Sequence, residues 1–271
     1  MPVFTTHFPI QTIIRQLFVF FASMFFYKQL TWVMVGMVAG HHGRSQLALS
    51  GWATTNNQFP ISHKIVYQLE ASFRSDTKRQ YLQTFLLRTG AFVQLNSQWS
   101  VGGGYCLTDN RRTVGGITGY ASEHQALEQA WFIHPVYFGH GYKTFMRQRL
   151  RLENRWLPNV VKDNDDLKKT GTSFTNRLRY QIREQIPLVP VINDFNKGSY
   201  LLVQNEFFFN VSGQQYVNGK WFDQNRSLVG TGYRFNRHMD LELSYMLRLI
   251  KEATNGWSNE NLVQVTALSR L

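Results

Sequence analysis

Between residues 147 and 155 a charged side chain stands at every second position: Arg147, Arg149, Arg151, Glu153 and Arg155. Met146, Leu150, Leu152 and Trp156 hold alternate positions. The spacing returns at Arg177, Arg179, Gln181 and Arg183, opposite Leu178, Tyr180 and Ile182. A guanidinium is planar and permanently charged, and it grips a carboxylate or phosphate through two parallel N–H bonds. A period of two puts such residues on one face of an extended strand, so each segment presents a row of anion-binding groups. Arg88, Arg226, Arg234 and Arg248 stand singly on comparable segments, with Glu70, Glu206, Asp240 and Glu242 joining Glu153 as counter-charges. Arginines around an aqueous lumen would favour passing anions. Paired with the glutamates instead, the same side chains would fill a narrow lumen.

Other chemistry is sparse. Ser122, His124, His134 and His140 offer the residue types of a hydrolytic triad, but no spacing ties them together, and triads are defined by geometry. Lipid hydrolysis or deacylation is therefore the least favoured function, and the expectation is no enzyme and no cofactor. Asp163-Asn-Asp-Asp166 has the acids of a calcium loop, yet Leu167 and Lys168 stand where a turn glycine and the next ligand belong. A solvated loop is expected there. The single Cys106 excludes an internal disulfide and a multi-cysteine metal site.

The elements that would carry these rows are extended. With 15% aromatic and only 17% charged residues, the chain can bury enough surface to fold. A mean hydropathy of −0.29 argues against a bundle of membrane helices. Leu17–Phe26 and Leu30–Gly40 are apolar, no acid occurs among the first 40 residues, and Val38-Ala39-Gly40 offers small residues for cleavage. Residues 1–40 are expected to be an export signal. That stretch holds only Arg15 and Lys28 of the 29 Lys plus Arg, set against 17 Asp plus Glu in the whole chain. The net +12 thus belongs almost wholly to the body, residues 41–271.

The body alternates apolar and polar residues in segments of about ten, the signature of strands with two unlike faces. Met239, Leu241, Leu243, Tyr245, Leu247 and Leu249 oppose Asp240, Glu242, Ser244 and Arg248. Eleven such segments run from Ser50 to Leu271. Asn96-Ser97 and 236–238 are tight turns, whereas 108–122, 157–173, 211–221 and 251–260 are expected to be long polar loops. The connection 187–198 is long on the short-turn side. Alternating loop length, strands of membrane-spanning length, and Trp52, Trp99, Tyr105, Trp131, Trp156, Tyr233 and Tyr245 near strand ends suit a transmembrane barrel. The expected fold is all-β, an antiparallel up-and-down barrel after the signal. Both termini inside require an even count, so ten or twelve strands are expected, twelve preferred.

Several motifs, in order and spacing, resemble a family of uncharacterised Gram-negative outer-membrane barrel proteins known only as a domain of unknown function. They include Trp99-Ser-Val-Gly-Gly-Gly-Tyr105, Arg149-Leu-Arg-Leu-Glu-Asn-Arg-Trp156, Asn205-Glu-Phe-Phe-Phe-Asn210, Phe222-Asp-Gln-Asn-Arg226 and Leu241-Glu-Leu-Ser-Tyr-Met246. The resemblance covers residues 50 to about 270 and implies location in a bacterial outer membrane, but no activity. The chain departs from the pattern of such barrels by ending in Leu271 rather than an aromatic residue.

The expected lumen lining is Arg88, Arg147, Arg149, Arg151, Glu153, Arg155, Arg177, Arg179, Arg183, Glu206, Arg226, Glu242 and Arg248. The expected function is a barrel, with a small channel for anionic solutes or a plugged structural or lipid-interacting barrel as alternatives. The expected partners are outer-membrane lipid, the barrel-assembly machinery and anionic solutes. Export and strand faces remove nucleic acid.

Overall fold

A computed structural model describes residues 49–76, 80–138, 142–191 and 194–271. The expected signal, residues 1–40, and His140 lie outside the described residues.

Eleven strands follow in chain order: β1 (Leu49–Pro60), β2 (Ile65–Ser75), β3 (Leu82–Gln94), β4 (Trp99–Val114), β5 (Ile117–Phe138), β6 (Tyr142–Asp163), β7 (Asp166–Pro187), β8 (Gly198–Ser212), β9 (Phe222–Asn236), β10 (Met239–Lys251) and β11 (Trp257–Arg270). They close into one barrel, each bonded to its neighbours in sequence and β1 to β11. No α-helix occurs among the described residues; a single turn of 3-10 helix, Gln214–Tyr216, follows β8.

The even count, with its preference for twelve, is corrected to eleven among the described residues. An even number is needed only when every junction is antiparallel. Here β1 and β11 run parallel, from Leu49 beside Asn261 to Gln58 beside Arg270. A parallel pair has evenly spaced, slanted bonds of its own, so the sheet closes with both strands pointing the same way. The start of β1 and the end of β11 consequently lie at opposite ends of the barrel.

The faces are divided as the alternation predicts. On β6, Leu150 is 49% exposed while its neighbour Arg151 is 1% exposed. The apolar face looks outward and the charged face into the lumen, the reverse of a soluble barrel. Trp99, Trp156 and Phe174 are exposed at two levels of the wall, Trp99 over the buried Phe132 with ring centroids 4.7 Å apart and Trp156 on Phe174 at 5.4 Å.

Two expected loops are strands. The segment 108–122 is a continuous hairpin in which β4 and β5 pair to Val114 and Ile117. Its turn is Gly115-Gly116, with φ of 57° and 83°, the left-handed values that a two-residue hairpin turn requires. Likewise 157–173 continues β6 and β7 to Asp163 beside Asp166, turning at Asn164-Asp165 with Asn164 at φ 54°. These extensions are polar on both faces, as where the Thr113 and Thr118 hydroxyls meet at 2.8 Å, so they lack the alternation that marks the lower strands. The 251–260 connection is also shorter than expected, because β11 begins at Trp257.

The barrel has a turn end, with 61–64, 95–98, 188–191, 194–197 and 237–238, and a loop end, with the two long hairpins, 213–221 and 252–256. Inside, an apolar stripe crosses β8 to β11 and β1 through Tyr200, Leu202, Leu228, Met246, Leu262 and Trp52. Val191 and Phe195, from the connection after β7, extend it at the turn end. Gly232 allows the stripe to form, since a Cβ there would lie 2.3 Å from Tyr200 Cζ.

Candidate functional site: the charged lumen

The facing rows of β6 and β7 are in register, with Arg151 beside Arg179 and Glu153 beside Arg177. Like charges placed directly opposite repel, so the arrangement needs carboxylates between the arginines. Two supply most of them. Glu153, with no exposed side-chain surface, accepts from Arg177 Nε at 2.8 Å and Arg179 Nη1 at 2.6 Å, and Arg151 Nη1 lies 3.8 Å away. Glu206, on β8, accepts from Arg149 Nη2 at 2.5 Å and from Arg179 Nη2 at 2.7 Å. Arg177 continues to Asp223 at 3.2 Å. A single connected network therefore runs Arg149–Glu206–Arg179–Glu153–Arg177–Asp223 across four strands.

The other pairs stand around it. Arg88 Nη1 reaches both oxygens of Glu70 at 2.7 Å, and Arg155 grips Glu123 with Nε at 2.6 Å and Nη2 at 3.2 Å. Arg183 pairs with Glu242, which also accepts from Tyr200 OH at 2.7 Å. Arg248 pairs with Glu260. At the turn end Arg234 holds Asp240 through two bonds of 2.8 Å, and its Nη1 donates to the Phe195 carbonyl at 2.6 Å. Arg270 joins Asp240 at 2.6 Å.

Donors exceed acceptors. Arg88 Nε, Arg149 Nε and Arg151 Nη1 are buried with no hydrogen-bond acceptor among the described residues. Arg147 and Arg226, both expected in the lumen, have no carboxylate within ion-pair distance among the described residues. Arg147 instead lies 5.5 Å from the Trp131 ring centroid, and Arg226 lies 4.5 Å from Phe208 and 5.3 Å from Trp52.

The space left is a row of three cavities whose linings overlap: the middle one shares Trp52, Arg74 and Arg226 with the loop-end one and Trp131, Arg147 and Arg149 with the turn-end one. A cavity of about 160 Å³ at mid-height is lined by Glu70, Arg149, Arg179 and Glu206. One of about 320 Å³ toward the loop end is lined by Trp52, Arg74, Arg226 and Arg248. A third, about 220 Å³, lies toward the turn end beside Trp131, Arg147 and Gln58.

Several lumen residues were not foreseen. Arg74, Trp52, Glu123, Asp223, Glu260 and Phe208 all take part. Trp52 and Trp131, expected at a lipid interface, face inward, where arginine guanidinia cover their rings. For Arg74 a signal existed: it ends the polar face of the Ile65–Arg74 alternation. For Trp52 none did, because Thr54-Thr-Asn-Asn57 is polar on both faces.

The remaining candidates are not assembled into a site. Ser122 donates to Asp109 at 3.1 Å and His124 contacts Tyr105 on the outer wall; no hydrogen bond joins Ser122 to His124 among the described residues. Asp163 to Asp166 form the β6–β7 turn, with Lys168 Nζ 3.3 Å from Asp163.

Among solved structures, the chain is similar to the NanC porin in its rhombohedral crystal form, with 9% identity, a TM-score of 0.44, and coverage of 79% of this chain and 94% of that one. No curated protein matches it. A family model does, over residues 49–259, nearly the whole closed barrel from β1 to the first residues of β11, and by that match the chain belongs to the family described as protein of unknown function (DUF2490).

Proposed function

We propose that this protein is a bacterial outer-membrane barrel whose lumen is plugged at mid-height by its own ion pairs, rather than an open diffusion pore. Support for the membrane setting comes from the outward apolar face, from strands of 11 to 22 residues against the ~9–11 a tilted membrane strand needs, and from exposed aromatic residues at two levels. In that setting the outward wall contacts lipid, and assembly falls to the barrel-assembly machinery. Cell fractionation and heat-modifiable gel mobility test this; a soluble, heat-insensitive protein would overturn it.

The observation that carries the plug is the burial of Arg151 and Glu153, with side-chain exposures of 1% and 0%. A water-filled channel at that level would wet both. In planar bilayers the purified protein is expected to show no stable conductance; a steady open state at low voltage would overturn the plug. A second reading is an anion-preferring channel, favoured by the unpaired Arg74, Arg147 and Arg226. Under it, any conducting state has a reversal potential displaced toward the anion, and cation preference would sink it.

A further inference from the structure

The loop-end cavity holds more positive charge than the carboxylates around it neutralise among the described residues. Arg226 is 9% exposed, and its hydrogen bonds among the described residues are to Gln224 Oε1, at 3.4 and 3.5 Å. Arg248 stands directly opposite it on the next strand and donates to that same amide oxygen at 3.2 and 3.4 Å. Glu260 serves Arg248 but not Arg226. Arg74 lies over Trp52, its guanidinium carbon 4.1 Å from the ring centroid, with one bond of 3.4 Å to Ser72 Oγ. Arg226 and Arg248 approach the same indole at 5.3 and 5.6 Å.

Three guanidinia thus converge on one indole, with Glu260 taken by Arg248 and Glu206, which stands opposite Arg226 on β8, taken by Arg149 and Arg179. A buried charge without a partner is costly, and like charges on adjacent strands add to the cost. Cation–π contact recovers only part of it, about 0.5–2 kcal/mol per contact. The cavity, about 320 Å³, is large enough for a small solute, and its three guanidinia present several N–H forks. A monocarboxylate would neutralise one of the two unpaired arginines. A phosphate group, near −2 with three acceptor oxygens, matches both.

We infer that the loop-end cavity is a binding site for a small phosphate-bearing solute, gripped by Arg74, Arg226 and Arg248 beside Trp52. The site is entered from the loop end and needs no through-pore, so it stands whether or not the barrel conducts.

Inorganic phosphate is the probe, titrated into the detergent-purified full chain at constant ionic strength, with chloride and acetate as controls. Calorimetry should give saturable phosphate binding, with acetate much weaker. Arg226→Gln should weaken phosphate by at least about tenfold, the loss expected for a charge-assisted pair. The same variant, measured without phosphate, should melt at a higher temperature than the parent, because it removes a buried charge that repels Arg248 and has no ion pair of its own among the described residues. Arg74→Gln should weaken binding in the same direction. Unchanged affinity in Arg226→Gln, or a lower melting temperature without phosphate, would overturn the site, the latter making Arg226 a structural residue. Binding that appears only when phosphatidylglycerol is added to the micelles would also overturn it, moving the phosphate to a lipid headgroup on the outer wall.

Discussion

The lumen is filled by ions on β6 to β8 and by a hydrocarbon stripe on β8 to β11 and β1, the stripe lying between the ion pairs Arg248–Glu260 and Arg234–Asp240. On β6 to β8, Arg149, Glu206, Arg179 and Glu153 fill the interior through bonds of 2.5 to 3.0 Å. On β8 to β11 and β1, Leu202, Leu228, Met246 and Leu262 fill it by packing, none more than 3% exposed. Both bury their members, but by different physics. The apolar half tolerates loss of one member as a cavity. The ionic half does not tolerate loss of a carboxylate, because the arginines left behind keep their charge and lose their partner.

The largest effect that follows is at Glu153. Glu153→Ala should cost about 3–5 kcal/mol, the range for breaking a buried pair, and more than any single apolar deletion opposite. Urea unfolding of refolded protein, followed by heat-modifiable mobility, measures it. If Glu153→Ala proves no worse than a leucine deletion, the ionic half is hydrated and the plug is not a plug. Leu262→Ala, on a residue with no exposure, should cost about 2–3 kcal/mol, toward the lower part of the leucine-to-alanine range, since lumen water can enter the space.

The two halves also differ in how openly the sequence declares them. On β6 and β7 the charges alternate with apolar residues without interruption, so one look at parity assigns Arg147 to Arg155 and Arg177 to Arg183 to a shared face. On β8 both faces are apolar: Leu201, Val203 and Phe207 look outward while Tyr200, Leu202 and Phe208 look inward. Parity then has nothing to act on, and the apolar stripe leaves no mark in the sequence. Trp52 was lost for the same reason in reverse, in a strand polar on both sides. The strand count was hidden differently, because the parallel closure of β1 on β11 joins segments about 210 residues apart and leaves no mark within either one. The carboxylates Glu123, Asp223 and Glu260 were visible as residues, but their partners depend on register across strands, which composition does not carry.

A residue at the seam between the halves sharpens the contrast. Tyr200 packs in the apolar stripe yet donates its hydroxyl to Glu242 at 2.7 Å. Tyr200→Phe keeps the packing and removes one charge-assisted hydrogen bond, so it should cost about 1.5 kcal/mol. Gly232→Ala attacks the same residue from the packing side and should cost about 1–3 kcal/mol through overcrowding. Equal losses in the two variants would mean that packing and ion chemistry contribute equally at the seam. A negligible loss in Tyr200→Phe would instead assign Glu242 to Arg183 alone.

The smallest effect isolates burial itself. Lys168 and Asp163 form the same kind of pair as Arg177 and Glu153, 3.3 Å apart on the same two strands, but beyond the lumen at the hairpin tip. Their side chains are 67% and 49% exposed. Water already solvates both ions there and salt screens them, so the pair contributes at most about 0.5 kcal/mol. Lys168→Ala should therefore leave urea unfolding nearly unchanged, with whatever small loss there is vanishing in high salt, whereas the Glu153→Ala loss should persist at the same salt concentration. If both losses respond to salt alike, the mid-lumen network is reached by bulk ions, and its arginines line an open passage after all.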